Sequence, residues 1–470
     1  MILPINSALK THCSNRKIQN SYNRPSFKAG KVRVFSDFDK TFLRSSHKDF
    51  VKNYDSEFVN ALRENFKSFK EFLNNTREGL KFTITTGRTF GEFLTMAEVA
   101  RERKFGMPLP DTLIVKNGSD EHIRTGTDED FYNGGEFPFK YEVTNKEKEA
   151  KIKEISGWDG AKVKKIIDDV LKSYNFRIVE ADSEHGAGDY GSRSMFSQGK
   201  IPYEVGKLFY GTDKADWSIG MRKDGNLKMF FTIPADMFDI DERRNVYNDM
   251  QTKISEKARA EGIKHTFGDG PKMINGRSCL SYVPEIPKKT DNHKLTKFYD
   301  THEAFQEAKK NNDLVIVAGD SSNDLEMLNP AYYLDESLIE KMIKKYGNGC
   351  FRGAMNTPAI LVKILEKEPE LAEVFMRMPF RGVIVRQNGG ENKLHQLEPF
   401  ASGKYQKIII VDEGELQSGI KQSIKAYAEQ NPKYKEKLSP DLKKQIEPES
   451  PKKPPKDDEP GGNSDDGESP

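Results

Sequence analysis

Asp37 and Asp39 stand two residues apart in Phe35-Ser36-Asp37-Phe38-Asp39-Lys40-Thr41, directly after the β-rich run that begins at Val32. If that run is a strand ending at Ser36, both carboxylates project at the carboxyl edge of a parallel sheet, where open α/β folds place their ligands. Two nearby carboxylates suit one divalent cation and a division of labour: one attacks phosphorus, the other gives and takes a proton. The segment alone also reads as a solvated strand end. Two further segments repeat the pattern. Thr85-Thr86-Gly87-Arg88 follows the apolar run Leu80–Thr85 and opens a helical stretch. A hydroxyl and backbone N–H groups at a helix start make a phosphate or oxyanion cradle, which points to Thr86, Gly87 and Arg88. Val315-Ile316-Val317-Ala318 runs into Gly319-Asp320-Ser321-Ser322-Asn323-Asp324, where Asp320 and Asp324 are hard oxygen ligands suited to magnesium. Read singly, these two are an ordinary Thr-Gly turn and an acidic helix cap.

The elements that must position these groups alternate. Between the first two segments, Phe58, Leu62, Phe66, Phe69 and Phe72 recur at spacings of three and four, which predicts a helix over roughly 55–75. A second helix is expected at about 88–103, then a strand at Leu113-Ile114-Val115 closed by the turn dipeptide Asn117-Gly118. Strand, helix, strand is the signature of an α/β domain with a parallel sheet. From about 120 to 288 the texture changes. A helix at Ala161–Tyr174, a strand at Phe176–Glu180 and a hairpin turning at Lys223-Asp224-Gly225-Asn226 come first. A long polar helix at Asp241–Glu261 and a strand at Ser278–Val283 complete an inserted α+β module. The α/β pattern then returns over 289–366, with a helix at Lys294–Lys310, the strand Leu314–Ala318 and a strand-then-helix at 350–366. Residues 367–436 read as a C-terminal α/β extension with strands at Gly382–Val385 and Lys407–Val411 and a helix at about 416–429. The ends, 1–30 and 437–470, are poor in apolar residues and are expected to be disordered.

Bulk composition excludes several classes. The chain has 470 residues and a net charge of +2, from 75 basic and 73 acidic residues, so it lacks the basic excess of a nucleic-acid binder. The lysines around 151–165 alternate with acidic residues and read as solvated helix faces. Three scattered cysteines, Cys13, Cys279 and Cys350, argue against a disulfide framework or zinc site and fit a reducing, cytoplasmic compartment. No run of apolar residues is long enough to span a bilayer. Residues 1–36 hold no acidic side chain but seven basic ones, a composition also found in organelle-targeting leaders.

Asp37-Phe38-Asp39-Lys40-Thr41, Thr86-Gly87-Arg88, a lysine near 294 and Gly319-Asp320-Ser321-Ser322-Asn323-Asp324 occur in that order. Together they resemble the haloacid dehalogenase-like (HAD) superfamily. The insert between the second and third motifs is similar to the large α+β cap of its subfamily IIB (C2B type), which holds the Cof-type sugar phosphatases, sucrose-phosphate phosphatases and phosphomannomutases. Gly353-Ala354-Met355-Asn356 resembles a segment common in that branch. The resemblance covers about 30–366. It implies a Rossmann-like core of 31–119 and 289–366, a cap of 120–288, and Mg2+ as cofactor.

Carried over residue by residue, the resemblance makes Asp37 the nucleophile and a metal ligand. Asp39 becomes the general acid and base, its carbonyl reaching the metal. Thr86, with Gly87 and Arg88, binds the transferring phosphoryl group, and Lys294 neutralises it. Asp320 and Asp324 complete the metal site, with Asn323 in support. Two features depart from the pattern. Lys294 is followed by Leu295 rather than Gly, which leaves Lys289 and Lys297 as rivals, and Lys40 stands where sugar phosphatases often have Gly.

The function expected is magnesium-dependent hydrolysis of a small phosphorylated metabolite, such as a sugar phosphate, without nucleic-acid or membrane partners. The alternatives are a phosphomutase or phosphotransferase on the same scaffold, or a non-catalytic phospho-ligand binding protein. Substrate contacts are expected from the cap, within 185–225. The oligomeric state is not legible.

Overall fold

The computed structural model describes residues 31–447 except 44–55, 89, 116–117, 119, 136–137, 142–149, 151–152, 175–176, 183–217, 224–228, 235–240, 275–276, 288–291, 295, 322–323, 348–352 and 388–393. Strands β1 (Val32–Ser36), β2 (Leu80–Thr85) and β3 (Thr112–Val115) alternate with helices α1 (Ser56–Thr76) and α2 (Phe90–Glu102). β4 (Asp120–Arg124), α3 (Asp128–Tyr132) and β5 (Phe139–Tyr141) follow. Later come α6 (Thr296–Asn311), β12 (Leu314–Gly319), α7 (Leu325–Leu328), α8 (Glu336–Tyr346), α9 (Gly353–Lys367), α10 (Pro369–Arg377), β13 (Phe380–Arg386), β14 (Ile408–Asp412) and α11 (Leu416–Gln430). α12 (Pro432–Lys437) and α13 (Pro440–Ile446) end the described chain.

These strands form one eight-stranded sheet in the order β14-β13-β12-β1-β2-β3-β4-β5. The six from β14 to β3 are parallel, and β4 and β5 are antiparallel additions at one edge. Both faces are covered, which is why the parallel strands read as apolar runs rather than alternating ones. On one face Val32, Val34, Phe82, Ile84 and Ile316 pack with α1, α2 and α11; on the other Phe35, Val315, Val317 and Ile384 pack with α6 to α10. This is the α/β, Rossmann-like architecture that the strand–helix alternation predicts. The aromatic ladder of α1 explains that helix: Leu62, Phe66, Phe69 and Phe72 are buried, and the Phe42 ring lies 5.7 Å from Phe66, 5.6 Å from Phe69 and 5.5 Å from Phe82.

Three boundaries differ from the sequence reading. Residues 120–141, assigned there to the cap, extend the core sheet, because Gly118 at φ 91° turns the chain back so that β4 pairs with β3. Residues 367–436, set apart as an extension, supply β13 and β14 to the same sheet. Nor does disorder begin at 437. Leu438, between α12 and α13, and Leu442 and Ile446 of α13 are buried against the α1 face of the core, apolar residues too sparse to stand out in a Lys- and Pro-rich stretch.

The inserted segment forms a second, six-stranded sheet. It comprises β6 (Arg177–Asp182), β7 (Ser218–Lys223), β8 (Met229–Pro234), β9 (His265–Ile274), β10 (Arg277–Pro287) and β11 (Asn292–Lys294), with helices α4 (Gly160–Lys172) and α5 (Asp241–Ala260). The expected strand pairing of β7 with β8 is antiparallel, while its turn residues 224–226 lie outside the described residues, as do most of 185–225. Lys162 pairs with Glu261 and Lys164 with Asp168, so these lysines sit on a charged, mixed-sign surface. Among the described residues, no helix is long and apolar enough to cross a membrane.

Candidate active site

The order of the sheet decides where the site lies. From β1 the chain moves outward through β2 and β3, and it later returns to β12 on the other side of β1. β1 and β12 are therefore neighbours at the point where the winding reverses, and crevices at such points bind ligands at the carboxyl ends of the strands. The register places Ser36 beside Ala318, so the residues that follow, Asp37 and Asp320, emerge at one edge. The Asp37 amide continues the ladder, donating to the Ala318 carbonyl at 3.0 Å.

Asp37, Asp320 and Asp324 are all buried, and each offers a carboxylate oxygen within 4.8 Å of the others. Three gathered carboxylates repel one another, and a divalent cation offsets that repulsion. Oxygens on opposite sides of a magnesium ion stand about 4.2 Å apart, so the trio's donor set and spacing fit such an ion. The loop after β12 is held by Asp324, whose Oδ2 accepts from the Asp320 amide at 3.1 Å and the Ser321 amide at 3.3 Å. The Thr41 hydroxyl donates to Asp320 Oδ1 at 3.3 Å. Asn323 lies outside the described residues.

The Asp39 carboxylate does not join this trio. It meets Arg88, which donates to it from Nε at 2.8 Å and Nη2 at 2.7 Å. Asp39, whose expected metal contact is its backbone carbonyl, thus has its side chain turned to a guanidinium. Arg88, read as a phosphate contact, faces a carboxylate. Between Asp37 and Thr41 the chain turns through Lys40 at φ 60°, the left-handed region where glycine is least strained. Gln387, at the end of β13, donates to the Lys40 carbonyl at 2.7 Å and steadies the turn.

The Thr86 hydroxyl accepts from the Arg88 amide at 3.2 Å and keeps its own proton to donate. The Thr86 amide is committed to the Ile114 carbonyl at 2.9 Å. α2 begins at Phe90 rather than at Arg88, so the expected cradle of helix-start N–H groups is narrower than the sequence implies: the Arg88 amide is used within the loop and the Thr86 amide by β3. Gly87 lies between them, half-buried.

Lys294 ends β11, where its backbone pairs with Glu285; α6 begins after it, at Thr296, rather than at Lys294. Lys297 falls within α6 and Lys289 lies outside the described residues, so the candidate lysine is placed along the chain only. Thr41 and Gln387 are the contributors that sequence reasoning left without a role, and Gly319 reads there only as a turn residue. Thr41 and Gly319 stand inside the motifs themselves, whereas nothing local marks Gln387, which reaches the site from 347 residues away.

No protein-family model matches the chain, and no curated protein matches it. Solved structures with similarity include a haloacid dehalogenase-like hydrolase protein from Bacillus subtilis, at 14% identity and TM-score 0.31, over 64% of this chain and 80% of that one. The sucrose-phosphatase of Synechocystis, solved with sucrose and phosphate, is 11% identical with TM-score 0.32, over 68% and 89%. A trehalose-6-phosphate phosphatase of Aspergillus fumigatus is 10% identical with TM-score 0.35, over 84% and 93%.

Proposed function

We propose that this protein is a magnesium-dependent phosphatase of the HAD type, acting on a small phosphate monoester, with sugar phosphates the favoured class. The observation that carries the reading is the buried trio of Asp37, Asp320 and Asp324 at the reversal point of the sheet, beside the Thr86 loop. A buried nucleophile next to a cation site and a hydroxyl donor is what in-line phosphoryl transfer asks of a protein: position and charge neutralisation.

In the first half of the reaction an Asp37 carboxylate oxygen attacks phosphorus. The bond from phosphorus to the leaving oxygen breaks, and Asp39 gives that oxygen its proton. In the second half Asp39 takes a proton from water, the water oxygen attacks phosphorus, and the bond to Asp37 breaks to release phosphate. Thr86 donates its hydroxyl proton to a phosphoryl oxygen, and Gly87 leaves room for that group. Lys294 offsets the charge of the phosphoryl group, and Asn323 supports the metal loop. Asp37, Asp320 and Asp324 would hold magnesium, with the Asp39 carbonyl as a further ligand; when bound, it supplies charge neutralisation between the anionic nucleophile and the anionic ester. The inserted α+β module would supply the substrate contacts, and the cytoplasm is the expected setting.

The test is phosphate release from a panel of sugar phosphates, nucleotides and 4-nitrophenyl phosphate. Each is run with magnesium, with chelator and with Asp37→Asn. Turnover that needs magnesium and falls by at least about 10³-fold in Asp37→Asn is expected, because the covalent route is then closed. Turnover that survives in Asp37→Asn sinks the reading. Phosphate that moves only to a second organic acceptor makes the protein a mutase or phosphotransferase instead.

A further inference from the structure

We propose that Arg88 is a positioning residue: it aims the Asp39 carboxylate at the leaving-group oxygen and is not a ligand of the phosphoryl group. The proposal rests on the phosphatase reading and deepens it.

Asp39 immediately precedes the left-handed residue Lys40 and is about one-third exposed, so its side chain has rotamer freedom that the backbone alone does not remove. A general acid and base that serves the same oxygen position in both halves of the reaction has to be held in one direction. Arg88 does this through two parallel donors, Nε and Nη2, one to each carboxylate oxygen, at 2.8 and 2.7 Å. That fork is a property of the guanidinium plane; a lysine ammonium has no equivalent. Both ends of the clamp are themselves fixed. The Arg88 amide donates to Thr86 Oγ1, and the backbone next to Asp39 is tied by the Gln387 bond to Lys40 and by the bridge between Asp39 and Leu43. The clamp thereby joins the loop after β1 to the loop after β2, so the hydroxyl of Thr86 and the carboxylate of Asp39 are set by one unit.

A phosphate ligand and a clamp on the acid differ in what their loss does. A phosphate ligand touches the group common to every substrate, so its removal raises KM for all of them and weakens inorganic phosphate. A clamp on Asp39 matters in proportion to the leaving group's need for a proton. A basic alkoxide needs one and a nitrophenolate does not, while both esters need Asp39 as base in the second half, so the loss falls on kcat for both and more heavily for alkyl esters.

The experiment uses the full chain with magnesium and compares wild type, Arg88→Gln, Arg88→Lys, Asp39→Asn and the Arg88→Gln/Asp39→Asn double variant. Turnover is measured on 4-nitrophenyl phosphate and on the best alkyl phosphate of the panel. Inorganic phosphate binding is measured by calorimetry, which needs no turnover. Arg88→Gln is expected to lower kcat on the alkyl ester by about 10²-fold, the cost of misplacing a reacting group by an ångström. On 4-nitrophenyl phosphate the fall in kcat should be smaller, because only the second half then needs Asp39, and phosphate affinity should stay within about threefold. Arg88→Lys should fail to restore the alkyl activity, and Arg88→Gln should add less than about twofold once Asp39 is Asn. Equal losses on both esters with phosphate affinity down by more than about tenfold would overturn the proposal and make Arg88 a phosphate ligand. Full additivity with Asp39→Asn would overturn it too. Inactivity of the wild type on every ester, or turnover that survives in Asp37→Asn, is instead a failure of the phosphatase reading, and the calorimetry still decides what Arg88 touches.

Discussion

Gly319 shows how little room the loop after β12 leaves. A Cβ built there would stand 2.4 Å from Asp324 Cβ and 2.6 Å from Asp324 Oδ2, closer than packed atoms approach. The missing side chain is what lets the Asp324 carboxylate fold over the end of β12 and take the amides of Asp320 and Ser321. Gly319→Ala is therefore expected to push Asp324 out of the trio and cut magnesium-dependent turnover by about 10²-fold. Magnesium titration of the variant checks this; an unchanged magnesium requirement would contradict the packing argument. The motifs that carry these carboxylates are legible as short strings, because each is a strand end followed by a turn. The Arg88–Asp39 pair is not: nothing in a string of letters says which of two acidic residues faces a guanidinium 49 positions away.

Lys407 lies at the opposite edge of the sheet, just before β14, and is fully buried. Its Nζ donates to the carbonyls of Met376 at 2.8 Å and Met378 at 3.1 Å, closing the end of α10. Burial, with the Arg381 guanidinium nearby, holds its pKa well below the ordinary lysine value, and burial pushes Arg381 down to about 10. The sign of the linkage follows. The unfolded chain binds the Lys407 proton more tightly than the folded one does, so folding gains stability as pH rises from the folded pKa toward 10.5. Stability measured by urea unfolding should therefore rise with pH below 10.5 in the wild type and rise less in Lys407→Met. Identical pH dependence in the two proteins would show that Lys407 carries no such linkage. Sequence reading places Lys407 at the head of a strand correctly but cannot see its burial, because the apolar cover comes from α10 and β13.

For the molecule as a whole, the last described helix closes the core over its first. Leu442 of α13 is fully buried against the α1 face, and a Cβ on Gly79 would stand 2.6 Å from its Cδ1. Ser439 caps α13 by accepting from the Leu442 amide at 3.3 Å. Leu442→Ala is expected to cost about 2–5 kcal/mol of unfolding free energy, the range for a buried leucine truncated in a packed core. A urea midpoint unchanged in that variant would mean α13 is not part of the cooperative unit. A substrate assay alongside should show KM unaffected, since α13 lies against α1 and Gly79, at the end of the sheet away from the trio.

What the sequence determined by itself is the local chemistry: apolar runs of strand length ending in Asp37, Thr86 and Asp320, an aromatic period along α1, and a change of texture after β3. These are short-range properties, set by side-chain spacing and turn residues within a few positions. Tertiary structure decided which strands are neighbours, and so that Asp37 and Asp320 share an edge. It decided that β4, β5, β13 and β14 belong to the core sheet rather than to a cap and an extension. It decided that the sparse apolar residues of 438–446 pack on the core, with 440–446 helical, and that Arg88 turns to Asp39. Each of these depends on contacts between residues tens to hundreds of positions apart, whose energy comes from burial and pairing that exist only once the sheet has assembled.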